Sequence, residues 1–398
     1  VLLARIFRSG QQQQVYTLAS QACSPKILFV QPHFQSILIL TGSFGHGHNT
    51  AAYNLETAFR NALGSESAVA VVDFFQDAYP WSNGLLRKGY GLAINQLPRL
   101  WQFIYGQADR EGGPKLVPVK TFGRQLRRCF DKHQPTVVVS TFPIFPLLIE
   151  ECYPDSAARP FSAATMITDA ISINAIWCQG HSDLLFVTDN WSKEIVMKQG
   201  IPEERIRAHG FPLSSPIESS SLKELPSANP RILYLPTTTT GHVKATLAEL
   251  LPWCQTHKAF LTIVLGSHEK RLSFVVRTAT DGLEKVTVYG WRKDVSNLMH
   301  EHHLTLTKAG GATVSETLGA QCPTLLNYVV PGQEEGNAEL LKRSDCGRRI
   351  NNSSELPTAL SEILVNDQAA VWHRYRANLK AMNRAEASEN IVRDILKL

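Results

Sequence analysis

Twice in this chain a short apolar run ends in glycines and passes at once into a helical pattern. Residues 36–41 lead into Gly42-Ser43-Phe44-Gly45-His46-Gly47-His48, and residues 304–307 lead into Lys308-Ala309-Gly310-Gly311. Runs this short and this apolar are strands buried on both faces, and a following helix supplies the cover. The same alternation recurs at 69–75, 136–140, 163–167 and 184–187, with helical patterns through 62, over 122–133 and from about 192. It resumes at 231–235, 260–265, 285–288 and 324–327, and a last helix over 367–396 is interrupted near 383–387. The predicted class is α/β, built on parallel sheets covered on both sides.

A chain of 398 residues exceeds one ordinary core. The Ser/Pro-rich stretch 214–230 divides it into a first domain over 35–213 and a second over 231–372. Residues 1–34 are an N-terminal extension, and 373–398 form a helical segment with the option of packing back on the first domain. Two such sheets joined by a linker place a ligand between them, at the C-terminal ends of the strands.

Composition narrows the classes. Hydrophobic residues make up 43% and charged residues 19%, as in a globular chain, and no run reaches the ~20 apolar residues that span a bilayer. Seven cysteines without C-x-x-C spacing argue against a disulfide framework and a zinc cluster. The start shows no clear cleavage pattern, so a cytoplasmic compartment is expected. The formal charge of +5 is unevenly placed, with ten Lys/Arg against four Asp/Glu over 76–132. Tyr79, Trp81, Tyr90, Trp101, Phe103 and Tyr105 are interleaved with that charge. Basic residues beside Trp and Tyr suit an anionic membrane surface, although nucleic acid or plain solvent accepts the same charge.

The second domain carries the clearest binding signature. Gly310 and Gly311 allow close backbone approach, and the first-turn N–H groups of Gly311, Ala312 and Thr313 suit phosphate. Glu316, about one turn in, suits ribose hydroxyls. After the apolar run that follows comes Pro331-Gly332-Gln333-Glu334-Glu335-Gly336-Asn337, a loop too polar to be explained by packing. Thr240 and Gly241 suit the diphosphate, and Trp291 either stacks on a base or belongs to the core. Gly266 ends another strand. The set fits a nucleotide-linked sugar.

In the first domain Gly47 and His48 sit between strand and helix, on the rim that would face that donor. Moving a sugar to an alcohol needs a proton acceptor, and histidine is tuned for it near neutral pH. Asp169, also at a strand end, is a candidate to orient His48, bind acceptor or act as base. Asp189 fits a helix cap. No acidic pair has Asp-x-Asp spacing, so no essential metal is expected; helix-start N–H groups and nearby positive charge would stabilise the leaving diphosphate.

These pieces together resemble the monogalactosyldiacylglycerol synthase and processive diacylglycerol glucosyltransferase family, and more distantly the enzyme that adds N-acetylglucosamine to lipid I. The resemblance runs over about 36–375. It rests on Gly45 to His48 with Asn49-Thr50-Ala51-Ala52, Ser140-Thr141-Phe142-Pro143, Thr168-Asp169, Ile176-Trp177, Ser182-Asp183, Gly210-Phe211-Pro212, Gly266 with Glu269-Lys270, Thr307 to Gly311, Glu316 and the 331–337 loop. It implies a GT-B fold, in which two Rossmann-like domains face each other across a cleft. It also implies UDP-galactose or UDP-glucose as donor, a diacylglycerol-type acceptor and inversion without a metal or other cofactor. By resemblance His48 is the base, Asp169 the acidic acceptor-side residue, Glu316 the ribose ligand, and Gln333, Glu334 and Asn337 the sugar and nucleotide contacts. Anionic membrane lipids become the expected partner of the 76–132 region, in place of nucleic acid, at the inner face of the cell membrane. Two features depart from the family: Thr237 to Thr240 replace a glycine-rich loop, and His46 is an additional histidine. The competing functions are transfer to a polyprenyl-linked or other hydrophobic acceptor, and a non-catalytic UDP-sugar sensor on membranes.

Overall fold

The computed structural model describes residues 36–43, 46–64, 67–78, 119–214, 229–331, 334–382 and 384–398. Strand β1 (Ser36–Thr41) sends Ile37 and Ile39 into one core and Leu38 and Leu40 into another. Successive side chains of a strand point to opposite faces, so a wholly apolar run requires cover on both sides. Helix α1 (His46–Leu63) supplies one cover through Leu55 and Phe59.

Among the described residues five further strands join the first sheet: β2 (Ala68–Asp73), β3 (Val137–Ser140), β4 (Ser162–Met166), β5 (Leu184–Phe186) and β6 (Ile206–Arg207). All pair in parallel, in the order β2-β1-β3-β4-β5-β6. The other face is covered by α2 (Phe74–Ala78), α3 (Val119–His133) and α4 (Phe145–Cys152), through Phe74, Leu126, Phe130, Phe145 and Leu148. The strand expected over 69–75 stops at Asp73. Phe74 and Phe75 instead open α2, where Phe74 meets Phe145 edge-on at 5.6 Å. Aromatic packing decides their backbone against their strand preference. Helix α5 (Asn190–Lys198) is capped by Asp189, whose Oδ1 accepts the Ser192 N–H at 2.8 Å.

The second sheet contains β7 (Arg231–Tyr234), β8 (Phe260–Val264), β9 (Val286–Tyr289), β10 (Leu304–Lys308), β11 (Thr324–Tyr328) and β12 (Gly347–Arg349). These are again parallel, in the order β12-β11-β10-β7-β8-β9. Its helices are α6 (Thr240–Thr256), α7 (Glu269–Thr280), α8 (Val295–Glu301), α9 (Gly311–Gly319), α10 (Glu335–Arg343), α11 (Leu356–Leu364) and α12 (Ala370–Met382). Ile232, Tyr234, Leu304 and Leu306 form a core with Leu247, Leu360 and Trp372. The edge strands β6 and β12 escape a pattern search, being too short and carrying Arg207, Arg348 and Arg349.

Helix α13 (Ala387–Ile395) returns to the first sheet, where Ile391, Val392 and Ile395 share a core with Ile37 and Phe59. Ser388 Oγ donates to the Leu213 carbonyl at 2.6 Å, tying α13 to the segment that follows β6.

Each sheet has one place where strand order reverses: between β1 and β3, and between β7 and β10. At such a point the loops leave in opposite directions and open a crevice at the strand C-termini.

Candidate active site

The first crevice is flanked by α1, which follows β1, and by Thr141, which follows β3. His48 lies on the first turns of α1. Its Nδ1 is 2.8 Å from the Thr141 carbonyl oxygen and 3.1 Å from Thr168 Oγ1. A carbonyl only accepts, so Nδ1 carries the proton and donates, leaving Nε2 with a free lone pair. Burial lowers the imidazole pKa below its ordinary 6.5, against the opposing effects of the Asp169 charge and the Thr141 carbonyl. The ring meets Phe142 edge-on at 4.9 Å. The result is a neutral, oriented base.

Asp169 does not orient that base by a hydrogen bond; the Thr141 carbonyl does. The Asp169 Oδ2 instead accepts from the Trp177 indole N–H at 2.7 Å, and the Trp177 ring lies 6.0 Å from the imidazole. Burial raises the Asp169 pKa, and the indole hydrogen bond opposes it. Asp169 therefore acts on His48 through its field. Gly47 is in the first turn of α1, with open space where a side chain would project. Thr141, Thr168 and Trp177 had no assigned role in the sequence, although threonines at the ends of neighbouring strands were a readable signal.

The second crevice is flanked by the loops after β7 and β10. Gly310 caps α9 without a side chain, leaving the first-turn N–H groups of Gly311, Ala312 and Thr313 without a capping partner from it. Neither glycine is required by a left-handed backbone. A Cβ on Gly311 would lie 3.4 Å from the Thr168 carbonyl oxygen and 3.5 Å from Asn337 Nδ2. Thr168 thus touches both His48 and the start of α9, bringing the two crevices together. Ala312 shares an apolar cluster with Ala51 of α1, Phe211 and Leu213. A side chain on Gly336 would collide with the Ala170 carbonyl in the loop after β4.

Glu316 is half-buried, and its carboxyl has no hydrogen-bond or ion-pair partner among the described residues. Desolvation pushes its pKa up to about 7. Such a group gains from hydroxyl donors. Glu334 and Asn337 are engaged within the protein. Glu334 pairs with Lys308 and accepts the Val330 N–H at 3.1 Å, while Asn337 Nδ2 donates to the Ala309 carbonyl at 2.9 Å. Asn337 thereby holds the Ala309–Gly310–Gly311 turn, and Glu334 holds the lysine that precedes it. Gly332 and Gln333 lie outside the described residues.

Trp291 is 67% exposed, which excludes the core alternative. Thr240 and Gly241 open α6, whose N-cap Thr239 makes no side-chain capping bond. Gly266 adopts φ +59, the left-handed region that favours glycine, and its N–H donates to the Gly290 carbonyl at 3.1 Å. These residues sit at the ends of β7, β8 and β9. Among the described residues, no cluster of three or more His, Cys, Asp or Glu could hold a metal ion.

Residues 48–213 match the model of the monogalactosyldiacylglycerol (MGDG) synthase family. The processive diacylglycerol beta-glucosyltransferase of Bacillus cereus (strain B4264) is 26% identical over 375 residues, covering 90% of this chain and 93% of the relative. This chain is thus similar to the monogalactosyldiacylglycerol synthases over its first sheet and to the processive diacylglycerol glucosyltransferases over most of its length. The Bacillus subtilis (strain 168) protein of the same name is 24% identical over 370 residues, covering 91% of this chain and 94% of its own. Acinetobacter baumannii MurG has the same fold, with a TM-score of 0.58 at 13% identity over 92% of this chain and 100% of that one. The S. aureus MnaA structure with UDP gives 0.59 at 13%, covering 91% and 96%. The two parallel, helix-flanked sheets are a GT-B-like double-Rossmann fold.

Proposed function

We propose that this protein is an inverting hexosyltransferase that moves galactose or glucose from a UDP-sugar to diacylglycerol or a related glycolipid. The observation that carries the reading is the placement of His48: Nδ1 is bound to the Thr141 carbonyl, and Thr168 links the ring to the start of α9. With UDP-hexose phosphates at that helix start and ribose at Glu316, the anomeric carbon faces the first sheet. The acceptor hydroxyl oxygen bonds to that carbon as the bond to the β-phosphate oxygen breaks on the opposite face. Its proton passes to His48 Nε2, and the electron pair leaves with UDP. One displacement inverts the configuration.

The family match and the fold support a UDP-sugar-using transferase acting on a lipid. The two domains read as an acceptor lobe over 35–213 and a donor lobe over 231–372. Helix α3 presents Lys120, Arg124, Arg128 and Lys132 to solvent, a basic face suited to anionic lipid at the inner surface of the cell membrane. The rest of the aromatic-rich 76–132 region, over 79–118, lies outside the described residues. Among the described residues no helix is long and apolar enough to cross a membrane.

The test is incubation with UDP-glucose or UDP-galactose and vesicles containing diacylglycerol, with products identified by mass and sugar analysis. Glycosylated diacylglycerol is expected. Donor binding without transfer or donor hydrolysis over candidate lipids would replace the reading with a UDP-sugar sensor, and product only on polyprenyl-linked acceptors would replace the lipid.

A further inference from the structure

We infer that Lys308 is a catalytic residue, the cation that stabilises the departing diphosphate, and that Glu334 positions it; this rests on the transferase reading above. Lys308 ends β10, immediately before the glycine turn into α9. The pairing of β10 with β11 shifts register after Thr307, so Lys308 lies opposite Tyr328. Such irregularities re-aim a side chain beside active sites. Here the lysine folds over the turn: a Cβ on Gly310 would lie 3.1 Å from its Nζ. A side chain at Gly310 would crowd the ammonium at the helix start.

Glu334 is the bland explanation for that lysine. Its side chain is 8% exposed and already accepts the Val330 N–H at 3.1 Å, and a buried carboxylate requires a counter-ion. The Lys308 side chain, however, is 42% exposed. An ammonium has three donors, and Glu334 engages it from one side only. The remaining donors sit beside Gly310, at the end of α9 whose dipole is positive. Ammonium and first-turn N–H groups thus converge where phosphate would rest.

The chemistry follows. As the bond between the anomeric carbon and the β-phosphate oxygen breaks, the electron pair stays on that oxygen, and UDP gains one negative charge relative to its esterified form. Lys308 stays protonated and stabilises this charge, while the acceptor proton goes to His48. The interaction strengthens as charge develops, so it lowers the barrier more than it tightens donor binding.

The experiment compares the parent with Lys308→Arg, Lys308→Met and the double variant Lys308→Met/Glu334→Gln. It measures transfer rate, thermal stability, and calorimetric affinity for UDP and UMP. Lys308→Met is expected to lose about 100-fold or more in kcat, as when a transition-state donor is removed. UDP affinity should fall about 10-fold with UMP affinity unchanged, since only UDP carries the β-phosphate, and Lys308→Arg should keep most of the rate. The double variant removes the unpaired buried carboxylate and should regain stability while remaining slow. A double variant as fast as the parent overturns the inference, because the lysine then only neutralises Glu334. Equal losses of UDP and UMP affinity in the double variant also overturn it. A parent that binds no UDP overturns the transferase reading and this inference together; a parent that transfers sugar tests the two separately.

Discussion

Thr168 joins the two sheets at one point: its hydroxyl oxygen is 3.1 Å from His48 Nδ1, and its carbonyl oxygen would be 3.4 Å from a Cβ on Gly311. A residue just beyond β4 therefore lies between the His48 imidazole and the start of α9. The base itself is oriented by Thr141.

Replacing His48 with alanine should lower kcat by about 10³-fold while UDP affinity changes less than twofold. Loss of both would identify a structural histidine. Because burial holds this imidazole below 6.5, its neutral form persists below that pH. The acid limb of kcat/KM should accordingly fall at a pH below 6.5. The same depression contributes stability above pH 6.5 that is lost as pH falls through the folded-state value.

Asp169 supports the protonated imidazole through its charge, so Asp169→Asn should weaken the base. An activity loss of about 10-fold near neutral pH is expected, with the acid limb displaced to lower pH. Trp177→Phe keeps the ring but removes the indole donor, and should shift the limb the same way by less. An unmoved pH profile in both variants would show that these residues serve packing alone.

Glu316 provides a test of the donor site. With its pKa at about 7, the carboxyl is protonated at pH 5 and ionised at pH 8. Ribose hydroxyls donate best to the ionised form, so UDP-hexose affinity should rise with pH through about 7. UDP-hexose has no phosphate ionisation in that range, and Glu316→Gln should flatten the profile. The raised pKa also means stability is lost as pH climbs from about 4.5 through about 7. Glu316→Gln should therefore raise the melting temperature at pH 8 more than at pH 5.

Gly336→Ala places a methyl group against the Ala170 carbonyl, where backbone would have to give way. The cost should be about 1–3 kcal/mol, read as a lower melting temperature. Gly311→Ala meets the Thr168 carbonyl at 3.4 Å and should fold with little loss, while raising KM for the donor. A larger melting loss in Gly311→Ala than in Gly336→Ala would contradict this contact map.

Reversing Lys120, Arg124 and Arg128 on α3 should reduce binding to anionic vesicles, at about 1 kcal/mol per charge, while sparing a water-soluble acceptor. Equal losses in both assays would point to misfolding.

Much of this was legible in the residues. The apolar runs with glycine exits marked the strands and crevices because a parallel strand buries both faces, as Ile37 and Leu38 do. Helix starts after glycine were equally plain. The sequence also brought His48, Gly311 and Glu316 into view, since an imidazole or carboxylate beside such a turn has few packing reasons to be there. It misjudged Phe74 and Phe75, whose helical backbone goes with ring packing against Phe122 and Phe145.

The amino-acid order by itself determined the class of fold, the strands and the list of reactive groups, because those depend on periodicity and on neighbours along the chain. Tertiary structure alone decided what each group does. Thr141 lies 93 residues from the imidazole it fixes, and Glu334 lies 26 residues from the ammonium it holds. Which nitrogen bears a proton, and which carboxylate is free for a ligand, are set by such partners across the fold, and local sequence carries no record of them.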